Sequence, residues 1–287
     1  MSGMSHREFD IKWGMVIDVD KCTGCGACMV SCQVENNIAP MTEKDPYNYV
    51  QALTFDRDDP SDKLRTLTWM IVYELNNGKA FPEHEVAYLP RPCMQCENPA
   101  CVPVCPVIAT DKNEEGGIVS QIYPRCIGCR YCMAACPYHA RYFNWWDPLW
   151  PKGMDKTLSP NTSVRPRGVV EKCNFCHTRF MKAKDQARME GLDPNDLPEG
   201  YWKPACVEAC PSGAITFGDL KNPEHEVYKL AHDKNSFRLL EKLGLAPQVF
   251  YHSKREWVRR QGDNYLEGEA TAAGGSHGGG HGSANHS

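Results

Sequence analysis

The sequence predicts an α+β fold of two small modules, one nested inside the other. Each module repeats a strand, a cysteine-rich loop, a short helix and a returning strand. Three observations predict this. All 16 cysteines of the 287-residue chain fall into four groups of four. The stretches around the groups alternate apolar and polar residues with the period of a strand. The spacing of the first group, C-x2-C-x2-C-x3-C, returns in the third, so the chain contains an internal repeat.

The first group, Cys22, Cys25, Cys28 and Cys32 in KCTGCGACMVSCQ, follows the alternating run WGMVIDVD, residues 13–20. The second, CMQCENPACVPVCP, holds Cys93, Cys96, Cys101 and Cys105, with a longer middle gap. The third, CIGCRYCMAACP, holds Cys126, Cys129, Cys132 and Cys136; GGIVSQIYP (116–124) precedes it and ARYFNWW follows. The fourth is split between KCNFCH, with Cys173 and Cys176, and ACVEACP, with Cys206 and Cys210, before GAITFGDL.

Three thiolates at this spacing wrap one face of a cubane and ligate three irons. The fourth sits on the first turn of a helix and reaches the neighbouring cluster, as in the C-x2-C-x2-C-x3-C-P run for [4Fe–4S] clusters. Pro106, Pro137 and Pro211 follow the fourth cysteine, which suits a helix start or a turn. Small residues at Gly24, Gly26, Ala27 and Gly128 let backbone N–H groups approach the sulfurs. Structural zinc takes two separated C-x-x-C pairs per ion and would serve only residues 173–210. Disulfides belong with a secreted chain and cannot pair three tight triplets locally. Crossed ligation within the middle groups joins Cys93, Cys96 and Cys101 to Cys136, and Cys126, Cys129 and Cys132 to Cys105. The outer groups then join Cys22, Cys25 and Cys28 to Cys210, and Cys173, Cys176 and Cys206 to Cys32.

The group order, the CENPACVPVCP variant and the split fourth group resemble the four-cluster iron–sulfur B subunits of complex iron–sulfur molybdoenzymes. These include dimethyl-sulfoxide, polysulfide, tetrathionate and sulfite oxidoreductases, with relatives in alternative complex III and the Qrc quinone reductase complex. The resemblance spans residues 13–220 and rests on WGMVIDVDKCTGCGACMVSCQVEN, CENPACVPVCP, RCIGCRYCMAACPY, KCNFCHTR and CVEACPSGAITFGDL. It implies two bacterial-ferredoxin-like modules and the same ligand pairing. Family members that lose one cysteine hold a [3Fe–4S] cluster. With all 16 present, four [4Fe–4S] clusters are expected, a single [3Fe–4S] being the alternative.

The expected organisation is 1–32 with 138–220 as the outer module, 33–92 as a β-hairpin insertion, and 93–137 as the inner module. LRTLTWMIVYEL (64–75) and NNGKAFPEHEVAYLP supply the hairpin. Residues 145–170 and 182–204 read as surface excursions. Beyond residue 220, EHEVYKLAHD and SFRLLEKLGL read as helices, and APQVFYHSKREWVRR as an arm, so 221–267 is expected to dock on partners. The tail 268–287 is low-complexity, and His277, His281 and His286 there read as spacers.

Neighbouring cations raise a cluster's potential and carboxylates lower it. Lys21 lies near group one; Arg125, Arg130 and Arg141 near group three; Lys172, Arg179, Lys182 and Lys203 near group four, opposed by Glu171 and Glu208. Group two has Glu97 and Arg91, which predicts a lower potential there than at group three.

A net charge of −4 argues against nucleic acid. No run approaches the ~18 apolar residues of a membrane span. The start has neither an apolar signal core nor twin arginines, leaving a cytoplasmic chain or export with a partner. There is no nucleophile–base constellation, and His139 after CPY reads as packing. The expected function is electron transfer between a catalytic, molybdopterin-type or multihaem cytochrome c subunit and a polytopic quinone-reactive membrane subunit. The chain would then be peripheral to the membrane. The alternatives are a subunit of a soluble dehydrogenase or hydrogenase, and a structural zinc module.

Overall fold

The computed structural model describes residues 11–42 and 67–264. In chain order the elements are β1 (Trp13–Asp18), α1 (Ala27–Glu35), β2 (Met41–Thr42), β3 (Ile71–Asn76), β4 (Val86–Arg91), β5 (Thr110–Lys112) and β6 (Val119–Gln121). They continue with α2 (Tyr131–Ala134), β7 (Tyr142–Phe143), β8 (Pro148–Leu149), β9 (Val170–Glu171), α3 (His177–Glu190), α4 (Ala205–Glu208) and β10 (Ile215–Asp219). The last are α5 (Glu226–Ala231), β11 (Ser236–Phe237), β12 (Val249–His252) and α6 (Glu256–Asn264).

The strand expected at WGMVIDVD is β1, the middle of a four-stranded sheet ordered β10-β1-β12-β11. It runs antiparallel to β10, with Trp13 opposite Asp219 and Ile17 opposite Ile215. On its other side it runs parallel to β12, with Met15 opposite Val249. The alternation places Trp13, Met15 and Ile17 in the main core. Val16 faces a second, small core with Leu220, Val227 and Phe250, where α5 supplies Val227 and Ala231. Both faces of β1 are therefore buried, and each fully buried Met or Ile side chain contributes about 1.5–3 kcal/mol.

Short antiparallel pairs flank this sheet: β5 with β6, β7 with β9, and β2 with β8. β3 and β4 form a hairpin in register from Ile71 opposite Arg91 to Asn76 opposite Val86. Its first strand begins at Ile71, later than the expected residue 64, and residues 43–66 lie outside the described part. So do the tail 268–287 and its three histidines.

Two expectations are corrected. Residues 182–204 are not a bare excursion, because α3 occupies 177–190 and buries Phe180, Ala183 and Ala187. The Phe180 and Trp202 rings pack at a tilt, 5.1 Å apart, and Trp13 meets Trp202 edge-on at 5.1 Å. The C-terminal part is not an arm either. EHEVYKLAHD forms α5, but SFRLLEKLGL begins as β11, turns at Leu240, which has φ 51°, and keeps only a single 3-10 turn at Glu241–Leu243. Strand pairing and burial of Leu239 and Leu240 outweigh their helix propensity. The run expected to lie along a partner supplies β12, whose Val249 and Tyr251 are fully buried. Tyr251 Oη donates to the Pro90 carbonyl at 3.0 Å, tying β12 to the hairpin. Asp20 then clasps the following turn, accepting from Ser253 Oγ (2.7 Å), the Lys254 amide (2.7 Å) and Arg255 Nε (2.8 Å).

Candidate metal centre

The cysteine loops share one backbone device. The residue before the second cysteine of the first C-x-x-C pair in each group is left-handed: Gly24 (φ 69°), Gln95 (46°), Gly128 (72°) and Phe175 (52°). This turns the chain so that both thiols face one side. At Gly24 a Cβ would press into the Tyr88 ring, and at Gly128 it would overlap the Gly168 carbonyl, so only glycine fits. Gln95 instead uses its side chain as a weld. Its Nε2 donates to the Cys173 carbonyl (2.7 Å), and its Oε1 accepts from the Val119 amide (2.8 Å).

A second device follows the fourth cysteine of three groups. In CPVIA, CPYHA and CPSGA the residue before the alanine is left-handed: Ile108 (φ 50°), His139 (49°) and Gly213 (60°). The alanine amide then donates back to the sulfur: Ala109 to Cys105 at 3.1 Å, Ala214 to Cys210 at 3.3 Å, and Ala140 to Cys136 likewise. Cys32 has no such proline or alanine. Asn36 Nδ2 stands in, 3.7 Å from the Cys32 sulfur and 3.8 Å from that of Cys176. Sequence reasoning passed over this C-P-x-x-A signal, although it is visible in three groups. His139 is exposed, and its amide donates to the Cys136 carbonyl (3.2 Å), as a turn residue does.

Cys22, Cys25, Cys28 and Cys210, here the first set, line one cavity. Cys93, Cys96, Cys101 and Cys136, the third set, line another with Tyr138 and Arg141. In the second set, Cys32 feels the charges of Cys173, Cys176 and Cys206. In the fourth, Cys132 feels Cys126, while Cys105 is held by the amides of its own loop and Cys129 is exposed. Cys28 also acts on Cys32 and Cys206, Cys93 on Cys173, and Cys101 on Cys132. The sets expected from the sequence therefore adjoin in the order first, second, third, fourth, and the exposed Cys25 and Cys129 belong to the two expected end sets.

Burial pushes the Cys28 and Cys173 thiols up to about 12, and neighbouring thiolates add to it. Cys32 and Cys206 go well above the ordinary value for the same reasons. Thiolates packed this closely in a low dielectric need cations among them. An iron–sulfur cluster supplies those cations, so the donor set fits one. Among the described residues no three Cys, His, Asp or Glu side chains converge closely enough for a single ion. An open depression lined by Lys182, Gln186 and Lys203 among others includes none of the cysteines.

The charges differ from the expectation based on chain proximity. Glu97 is paired with Lys12 (2.9 Å) and Lys112 (2.8 Å). Arg179 is held between Glu35 (2.8 Å) and Glu208. Arg130 lies over the Phe143 and Trp145 rings, 5.2 and 4.7 Å from their centroids. Lys172 acts on Cys96 and Cys173, and Arg141 on Cys101, Cys132 and Cys93. Surroundings poor in positive charge, expected for group two, are not found.

Two matches to the description 4Fe–4S dicluster domain cover residues 21–109 and 84–154. The chain is 69% identical to the menaquinone reductase iron–sulfur cluster-binding subunit of Nitratidesulfovibrio vulgaris, over 92% of this chain and 98% of that one. It is 37% identical to the Hdr-like menaquinol oxidoreductase iron–sulfur subunit 1 of Archaeoglobus fulgidus, over 84% and 82% of the two chains. It is 32% identical to the arsenate respiratory reductase iron–sulfur subunit of a Shewanella species, over 84% and 96%.

Proposed function

The chain belongs to the family of 4Fe–4S dicluster iron–sulfur subunits, and on that premise we propose that it is the electron-carrying subunit of a membrane-linked complex that reduces menaquinone. It holds four [4Fe–4S] clusters. When bound, these take up and release single electrons. The chain's own residues supply the ligands, exclude water and set the local charge. The proposed ligands are Cys22, Cys25, Cys28 and Cys210; Cys32, Cys173, Cys176 and Cys206; Cys93, Cys96, Cys101 and Cys136; and Cys105, Cys126, Cys129 and Cys132. The observation that carries the reading is the succession of adjoining cysteine sets, whose two end sets contain the exposed Cys25 and Cys129.

The reading takes the modules as nested, with 1–32 and 138–220 enclosing 93–137 and the hairpin inserted between them. The antiparallel pairing of β1 with β10 supports it. One end set would face a large molybdopterin-type or multihaem cytochrome c subunit, and the other a polytopic quinone-interacting subunit. Among the described residues no helix is long and apolar enough to cross a membrane. The reading therefore has the chain held at the membrane surface by its partner.

Mild-detergent purification from native membranes, with mass spectrometry of the co-purifying chains, tests this. We expect a catalytic or cytochrome subunit and a polytopic subunit, in a brown preparation that reduces a menaquinone analogue. Recovery from the soluble fraction, alone or with a soluble dehydrogenase, would overturn it.

A further inference from the structure

Two buried cations border the third cysteine set, and among the described residues neither has a carboxylate partner. Lys172 is fully buried. Its Nζ donates only to carbonyl oxygens, those of Val119 and of Cys173 (2.6 Å). Arg141 is 3% exposed and lines the cavity of the third set. Thr110 and Gln121 stand opposite each other across the β5–β6 ladder. Together they grip one end of the guanidinium: Arg141 Nη1 donates to Thr110 Oγ1 (3.1 Å) and Gln121 Oε1 (3.0 Å). Nε and Nη2 are buried and take no part in a hydrogen bond. The thiols of Cys101 and Cys132 are the opposite charges that act on this side chain.

An arginine does not lose its charge inside a protein. Burying such a charge costs several kcal/mol unless an opposite charge lies close by. For Arg141 the groups at hand are Cys101 and Cys93 of the third set and Cys132 of the fourth. For Lys172 they are Cys96 of the third set and Cys173 of the second. Arg179 is a control within the same molecule: it also acts on Cys176 of the second set, but Glu35 and Glu208 neutralise it.

We propose that Lys172 and Arg141 are the fixed counter-charges of the third set, Lys172 shared with the second set and Arg141 with the fourth. The third set alone is bordered by both. The group it holds is therefore stabilised most on gaining an electron, since an unscreened cation in a low dielectric favours the reduced, more negative form. This rests on the ligand sets proposed above and reverses the charge order expected along the chain.

The test is an EPR-monitored redox titration of the purified complex, with iron counted in each preparation. Lys172→Met is expected to lower the potentials of the second and third sets. Arg141→Gln is expected to lower those of the third and fourth. Neither moves the first, and the double variant moves the third most. Each effect is expected to reach a tenfold change in the reduction equilibrium, which is ~59 mV for one electron. Should a neutral variant fail to load iron, Gln121→Glu sets a carboxylate against Arg141 Nη1 and should lower the third and fourth together. Arg141→Lys should remain close to wild type. Fully loaded variants with unchanged potentials, or a shift of all four sets alike, would overturn the inference. A wild-type preparation with fewer than four clusters would instead sink the ligand assignment, and this inference with it.

Discussion

Arg165 Nη2 and a Glu171 carboxylate oxygen lie 3.0 Å apart, with side chains only 1% and 4% exposed. Arg165 Nη1 also donates to the carbonyls of Asn36 (2.5 Å) and Ser163 (2.6 Å). Glu171 accepts from Trp69 Nε1 (3.0 Å) and from Asn144. The pair thus ties the end of α1 to β9 and to the segment before the hairpin. Breaking a buried pair by removing one partner costs about 3–5 kcal/mol. Glu171→Ala should lose stability of that order in anaerobic urea unfolding of the loaded protein. Arg165→Met with Glu171→Leu should lose less, because no charge is left stranded. Equal losses would show that the charges themselves are not the issue.

Crossed ligation makes a pairing prediction. Cys22→Ser and Cys210→Ser are far apart in sequence but line one cavity. They should produce the same EPR lesion, while Cys32→Ser should match Cys206→Ser. If Cys22→Ser instead matched Cys32→Ser, its neighbour in the same run, the ligands would not cross.

Gly128 has φ 72°, and a Cβ there would overlap the Gly168 carbonyl. Gly78 has a similar φ of 70° but meets nothing. Gly128→Ala should therefore lose iron during purification. Gly78→Ala should retain it and lose only about 1 kcal/mol. Iron per chain distinguishes the two.

Burial opposes ionisation of Asp20, but the Lys254 amide, the Ser253 hydroxyl and Arg255 together hold its pKa below the ordinary 3.8. Because the folded value is the lower one, the contribution is fully present above pH 3.8 and fades as pH falls through the folded pKa. Hydrogen exchange of the α6 amides should be faster in Asp20→Asn than in wild type by a constant factor from pH 5 to 8. A difference that disappeared within that range would contradict the clasp.

The cysteine groups, their internal repeat, the flanking strands β1 and β10, and α5 were legible in the chain. Each is a local matter: a few residues of spacing place thiols around a cluster, and an alternation of period two makes a strand. The C-P-x-x-A turn is equally local, since its alanine stands as plainly in the chain as its proline, yet only the amide-to-sulfur bonds give that alanine a meaning.

What only the tertiary structure decided is which distant groups meet. Chain proximity assigned Glu97 to group two as a bare carboxylate, and the fold set Lys12 and Lys112 against it. It assigned Arg141 to group three alone, and the β5–β6 ladder holds it against the third set as well. Val249–His252 looked like part of a free arm, and the open parallel edge of β1 recruited it as a strand. Ligand spacing is covalent geometry and can be read along one dimension. Electrostatic environment and strand partnership depend on which surfaces pack together, and that is settled only when the whole chain folds.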